Sequence, residues 1–283
     1  MFGSRRKGPK RPAGVPAGRP VAEPGARPPA VRPVPVAAPR AAPTPVVRTE
    51  PLRLNKYLSE RGLCSRREAD AWIAAGRVTV NGSVATLGTP IGPADDVRVD
   101  GRPVGREARH VYIALHKPPG IECTTDRRVE DNIIDFVRHR ERIFPIGRLD
   151  KFSEGLILLT NNGDIVNELL RAEHGHEKEY VVTVDRPVTD EFLRTMADGM
   201  MILGQRTRPA RTRRIAANVF GIVLTQGLNR QIRRMCEAFE YTVRKLVRVR
   251  IVNIRLDGLA SGRWRDLSRA ELEGLLPGRH DWD

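Results

Sequence analysis

Twelve of the chain's 22 prolines stand in its first fifty residues. Proline lacks a backbone N–H and fixes φ, so this density excludes a long helix or a paired strand there. Ala, Gly and Arg fill the gaps, and Phe2 is the one aromatic. Little could be buried against the entropy cost of ordering. Residues 1–50 are therefore expected to be a disordered tail, and any fold must come from the residues after it. The tail holds ten Lys or Arg against two Glu, and supplies +8 of the formal net charge of +15. Two readings of it stay open: a basic tether that adds affinity for RNA phosphates, and a solubilising tail.

The other residues carry +7. A charge of this sign suggests a polyanionic partner, most simply nucleic acid. No run of eighteen apolar residues occurs, so no membrane span is expected. Pro, Gly and Arg interrupt the N-terminus, which leaves no apolar core for a secretory signal. Cys64, Cys123 and Cys236 are far apart and odd in number. They suggest a reducing setting, and the cytoplasm is the expected compartment.

Order begins near Leu52. Leu54, Tyr57 and Leu58 fall at helical spacing, and Gly62 is a suitable stop. Ser65-Arg66-Arg67-Glu68 fits a capping box, and Ala69, Trp72 and Ile73 give the next helix its apolar stripe. Val78-Thr79-Val80 leads into Asn81-Gly82, a strong signal for a two-residue hairpin. Val97 and Val99 mark a further short strand. Residues 53–82 resemble the S4 RNA-binding domain, and residues 51–105 are read as that unit. Arg53, Lys56, Arg66, Arg67 and Arg77 are its basic residues. Arg66 and Arg67 sit in a first helical turn, where backbone N–H groups can join them in holding phosphate.

Residues 101–109 read as a polar connection. Beyond it, Val111–Leu115, Ile157–Thr160, Tyr180–Val184 and Val219–Thr225 read as strands. Helices are expected after Asp164 as the cap residue, over Val188–Met196 and over Asn229–Phe239. Val247, Val249 and Ile251 alternate with Arg248 and Arg250, which predicts one buried and one basic face. Several joins are too short for parallel crossovers, so residues 106–283 are expected to hold a mixed, mostly antiparallel sheet with flanking helices. The fold class is α+β.

Three constellations in this second part could carry chemistry. Gly147-Arg148-Leu149-Asp150 places an Asp in a tight loop before the run Gly155–Thr160. Arg148 and Lys151 flank that Asp and favour its ionised form. On spacing alone it is a base, a nucleophile or a loop salt bridge. His176–Tyr180 is a polar run ending in an aromatic, which could face a base or pack on the core. Gln226–Met235 ends a strand in a Gly turn and opens a helix with Arg230, Arg233 and Arg234. It reads as a polyanion-binding helix start or as a surface charge cluster.

Taken in order with Lys117-Pro118-Pro119-Gly120, these segments resemble the motifs of the pseudouridine synthases. The S4-like unit in front is typical of the family's RsuA-type branch. Asp131–Phe136 and Gln226–Glu237 are similar to a member that acts on large-subunit ribosomal RNA. The resemblance runs from about residue 52 to about 270 and leaves the proline-rich tail uncovered. It implies that Asp150 is the catalytic aspartate, and that Tyr180 stacks on the target base and takes part in proton transfer. It implies that Arg233 pairs with the aspartate and Ile232 lines the pocket. Arg148 would help displace the nucleotide.

Uridine becomes pseudouridine when N1–C1′ breaks, the base turns and C5–C1′ forms. No atoms are gained or lost, so no metal, nucleotide or flavin is required. The chain has no P-loop and no dinucleotide glycine pattern after a strand, and no cofactor is expected. His174 and His176 lie two apart without a third ligand and read as a polar loop. Trp264 and Trp282 could stack on RNA or belong to an anchored tail. The expected partner is large-subunit ribosomal RNA, with transfer RNA as a second candidate, and the expected working unit is a monomer. The competing readings are a non-catalytic S4-type RNA-binding or ribosome-assembly protein and a small-molecule enzyme with an RNA anchor.

Overall fold

Caps and turns build the first ordered part. The computed structural model describes residues 51–105, 108–170, 175–279 and 282, all within one compact unit. The tail and His174 lie outside the described residues. β1 (Leu52–Arg53) runs into α1 (Leu54–Glu60), and Gly62 follows at φ 73°. α2 (Arg66–Ala74) opens on the capping box: Glu68 N donates to Ser65 Oγ, and Ser65 N donates to Glu68 Oε2. Such a cap is worth about 1 kcal/mol. β2 (Val78–Val80) turns through Asn81 and Gly82, at φ 51° and 81°, into β3 (Ser83–Val84). Two left-handed residues are what a type I′ hairpin needs.

β4 (Pro90–Ile91) pairs with β1, and β5 (Val97–Val99) pairs with β2. The stretch read as a polar connection contains one strand, β6 (Arg102–Pro103), bonded to β5. Both its residues are exposed, so no alternation betrays it. Leu54, Leu58, Ala69, Ile73, Val78 and Val97 close a small core.

The second part contains β7 (Tyr112–Lys117), α3 (Ile133–Val137), β8 (Phe144–Ile146), β9 (Glu154–Thr160) and α4 (Asp164–Leu170). Next come β10 (Lys178–Val184), α5 (Asp190–Asp198), the hairpin β11 (Met201–Ile202) and β12 (Gln205–Arg206), then β13 (Arg211–Ala216) and β14 (Val219–Leu224). α6 (Gln231–Glu237), β15 (Val243–Ile251), β16 (Ile254–Arg255), β17 (Trp264–Asp266) and α7 (Arg269–Leu275) complete it. One sheet runs β13-β14-β10-β15-β9-β7-β17, with β16 on β15 and β8 on β9. Within that sheet only β15 and β9 pair in parallel; the other neighbours are antiparallel.

The central strands are apolar on both faces because both faces are covered. Ile113, Leu115, Ile157 and Leu159 enter one core with α5 and α6. Their alternates Tyr112, Ala114, Leu156 and Leu158 enter a second core with α4 and α7. Trp282 belongs to that second core, edge-on to Tyr112, so this tryptophan anchors the C-terminal end.

Three readings need correction. Asp164 is the first residue of α4 rather than its cap, and its carboxylate meets Lys56 at 2.6 Å. The helix read over Asn229–Phe239 shrinks to Gln231–Glu237, because Arg230 adopts a left-handed φ of 51° before it. The basic face of β15 is not solvated at Arg248, which is 4% exposed. The alternation breaks at a bulge, which sets Arg248 opposite the buried Tyr180 and Arg250 opposite Glu179, while Val247 and Val249 are only half-buried.

Candidate active site

Asp150 stands in the loop between β8 and β9. Its carbonyl accepts from Ser153 N at 3.0 Å, which makes Asp150–Ser153 a tight turn. Two buried cations hold this loop by its backbone. Lys117, 0% exposed, donates from Nζ to Pro118 O at 2.9 Å and to Lys151 O at 3.0 Å. Arg248 donates from Nε to Leu156 O at 2.7 Å and from Nη1 to Arg148 O at 3.5 Å. Gly120 N adds a second bond to Lys151 O, at 2.8 Å. Burial pulls the Lys117 ammonium below its ordinary pKa, partly offset by Cys123 and Asp150. A buried cation without a carboxylate is costly, and here both cations hold carbonyls of one short loop, Arg248 at Arg148 and Lys117 at Lys151.

The packing explains why. β9 and β15 approach closely at Gly155, where φ is 114° and a Cβ would run into the Arg248 backbone. A bulge in β15 between its pairings to Glu179 and Tyr180 sets Arg248 opposite Tyr180. Strand alternation then sorts the polar run before Tyr180. Glu177 and Glu179 pair with Arg250, and also with Arg211 and Arg213, on one side. Tyr180 enters the core that holds Leu149, Cys123 and Ile232. Burial lowers the pKa of Lys178, and Arg248 lowers it further.

α6 brings the opposite wall. Ile232 is buried, and Arg233 reaches the loop. Arg233 Nε lies 3.8 Å from Asp150 Oδ2, while Nη2 donates to Ser153 Oγ at 3.4 Å. The 3.8 Å contact is an ion pair rather than a hydrogen bond, and Arg233 Nε has no bonded partner. Arg248 Nη2 is likewise buried without a partner. Of these two open donors, Arg233 Nε lies beside the carboxylate. Burial also lowers the Arg233 pKa, Arg230 lowers it further, and Asp150 opposes both.

The structure therefore brings Asp150 and Arg233 into contact and seats Tyr180 and Ile232 in one core. Lys151 does not serve Asp150, because its Nζ goes to Asp131 Oδ2 at 3.1 Å. Arg148 presents an exposed side chain to a cleft of about 460 Å³ lined also by Cys123, Thr124 and Leu170. A second cavity of about 620 Å³ lies by Tyr112 and Trp264, at the opposite end of β7 from Lys117. The positioning roles of Ser153 and Arg248 are not read from the sequence, and Lys117 is read only as part of a motif. The signal for Lys117 is a lysine closing a strand that is apolar from Ile113 to Leu115.

In the first part, Arg53, Arg66, Arg67 and Arg77 are exposed. Arg77 is held by Asp100 at 2.5 Å, and Lys56 by Glu60 and Asp164. Glu68 of α2 meets Arg142 at 2.8 Å, so ion pairs tie the two parts together. All three cysteines are unpaired and buried. Burial pushes the Cys64 thiol up to about 11 and the Cys236 thiol up to about 12. Among the described residues no helix is long and apolar enough to cross a membrane.

Residues 111–238 match the RNA pseudouridylate synthase family, and residues 52–97 match the S4 domain. The chain is 56% identical over 227 residues to the dual-specificity RNA pseudouridine synthase RluF of Escherichia coli (strain K12), covering 80% of this chain and 78% of that one. It is 36% identical over 232 residues to the ribosomal large subunit pseudouridine synthase B of Bacillus subtilis (strain 168), covering 79% and 95%. A solved pseudouridylate synthase superposes with a TM-score of 0.59 at 28% identity, covering 80% of this chain and all of that one.

Proposed function

The chain belongs to the RNA pseudouridine synthase family, and from that premise we propose that it isomerises a specific uridine in large-subunit ribosomal RNA. It is an enzyme with an S4 domain in front of its catalytic domain. Transfer RNA is our candidate for a second substrate, in keeping with relatives named as dual-specificity enzymes. Residues 51–105 act as the RNA anchor and residues 106–283 as the catalytic unit. One chain in the cytoplasm, where free thiols persist, is the working form.

The observation that carries this reading is the Asp150–Arg233 pair on a loop clamped from below by Lys117 and Arg248. The reaction needs a carboxylate held against the sugar while the base leaves and turns. Attack on C1′ and removal of the C2′ proton both use the Asp150 carboxylate, and both need it ionised. Arg233 supplies the countercharge. Tyr180 gives the detached base an aromatic wall and a phenol near C5, and Ile232 closes the pocket. Arg148 faces the nucleotide as it leaves its stack, as chemistry on a single base requires. Arg53, Arg66 and Arg67 meet RNA phosphates directly. Lys56 and Arg77 do so by exchanging a carboxylate for a phosphate.

The test is pseudouridine mapping. Unmodified transcripts of large-subunit ribosomal RNA and of transfer RNA are incubated with wild type or Asp150→Asn, labelled with carbodiimide and read by primer extension. Wild type is expected to give a discrete new stop. Asp150→Asn should lower turnover by at least about 1,000-fold while RNA binding is kept. An Asp150→Asn enzyme that still turned over would sink the mechanism. A wild type that bound RNA but modified none would point to the non-catalytic reading.

A further inference from the structure

Phe152 is 74% exposed, more than any other large apolar side chain among the described residues. A phenylalanine left in water on a loose loop would mean little, but this loop is not loose. Phe152 and Lys151 are the two central residues of the turn that Ser153 N closes onto Asp150 O at 3.0 Å. Lys151 O is held twice, by Gly120 N at 2.8 Å and by Lys117 Nζ at 3.0 Å. The flanking side chains are pinned as well. Leu149 and Ser153 are buried, and Lys151 is paired with Asp131. The loop therefore holds an aromatic ring out into solvent, two residues from the carboxylate.

A tight turn spans less than about 7 Å between its end Cα atoms. Stacked bases in a nucleic-acid duplex are about 3.4 Å apart. A nucleotide whose C1′ sits at Asp150 therefore has its neighbour's base within reach of the Phe152 ring. Taking a uridine out of its stack exposes the face of that neighbour. An aromatic side chain can cover the exposed face regardless of which base it is. Arg148, exposed on the same loop, offers a guanidinium for the phosphate beside it.

We propose that Phe152 is a base-stacking residue, which covers the nucleobase next to the target once the uridine has left the stack. Its contribution is a positioning one, made to the RNA and not to the isomerised bond. The inference rests on the RNA isomerase reading above.

The test uses the full chain and a hairpin transcript carrying the mapped uridine in a stacked stem. A single-stranded 12-mer with the same local sequence serves as the unstacked substrate. On the hairpin, Phe152→Ala is expected to lower single-turnover kcat/KM by about 10- to 100-fold. Phe152→Trp should keep it within about threefold, because the ring and not its identity matters. On the single strand the Phe152→Ala loss should shrink below about threefold, since no stack has to be broken. Phe152 is exposed, so none of these variants challenges the fold. A second arm uses 2-aminopurine beside the target uridine in an Asp150→Asn background, where Phe152→Ala should brighten the probe by unstacking it. An equal loss on both substrates, or no loss on the hairpin with wild type active, overturns the inference alone. A wild type inactive on both substrates overturns the isomerase reading, and this inference with it.

Discussion

The S4 domain and the catalytic domain are both rich in Arg and Lys, yet they hold their cations in opposite ways. In the S4 domain Arg53, Arg66 and Arg67 are exposed, and Arg77 and Lys56 rest on carboxylates near the surface. In the catalytic domain Lys117 and Arg248 are buried, and all their hydrogen bonds go to backbone carbonyls, those of Lys151 and Arg148 in the Asp150 loop among them. A surface ion pair is worth roughly 0–1 kcal/mol, so a phosphate can take its cation at little cost. A buried cation cannot move without losing much more. The first arrangement suits capturing RNA, and the second suits holding one carboxylate still.

Lys117→Met probes the second arrangement and should have the largest effect. The methionine fills the lysine stem's space but donates nothing to Pro118 O or Lys151 O. A misplacement of about 1 Å at a catalytic group can cost about 100-fold. We expect kcat to fall by about that factor with RNA affinity within about threefold of wild type. A variant that bound RNA poorly but kept its kcat would break the comparison. The double variant Arg66→Ala, Arg67→Ala probes the first arrangement. Affinity should fall by about tenfold at moderate salt, with kcat at saturation unchanged. The slope of log K against log salt should lessen by about 2 if both contact phosphate. A fall in kcat alone would place α2 in the chemistry instead.

The same contrast explains what the sequence disclosed. The S4 domain is held by local devices, and these are legible. Ser65–Glu68 reads as a cap and Asn81-Gly82 as a hairpin, and both form. In the catalytic domain the apolar runs of β7 and β9 are legible as strands, because both their faces are buried. Arg248 is not legible as a buried residue. Alternation puts it on one face with Arg250, but a bulge in β15 sets it opposite Tyr180, where its guanidinium meets the carbonyls of Leu156 and Arg148. β13 escapes notice for the opposite reason: five of its six residues are exposed, and an exposed edge strand reads like a loop. Asp150, Tyr180 and Arg233 are recognisable through ordered motifs. The cations that position the loop emerge only when β7, β9 and β15 are side by side.

The smallest expected effect separates two uses of one local motif. α2 and α7 both begin on a capping box, Ser65–Glu68 and Ser268–Glu271. The Glu68 side chain is 58% exposed and has Arg142 beside it at 2.8 Å. Its pKa is lowered mainly by the Ser65 backbone bond. The Glu271 side chain is 23% exposed and takes two bonds from Arg265, at 2.7 and 2.8 Å. Those bonds, ahead of the cap itself, hold its pKa down at about 2. Because the folded pKa lies below the ordinary 4.5, the pair's contribution is full above that value and is lost as pH falls towards 2. Glu271→Gln keeps an oxygen for Ser268 N but removes the charge. It should lower Tm at pH 7 by about 2–4 °C, from about 1 kcal/mol. The gap to wild type should narrow as the pH is lowered from 7 towards 3, because wild type loses its charge on unfolding and the variant has none to lose. Glu68→Gln should shift Tm less at every pH, since water already competes for its charge. If the Glu271→Gln deficit stayed constant with pH, the hydrogen bonds of the box would be holding α7, and the two caps would be alike after all.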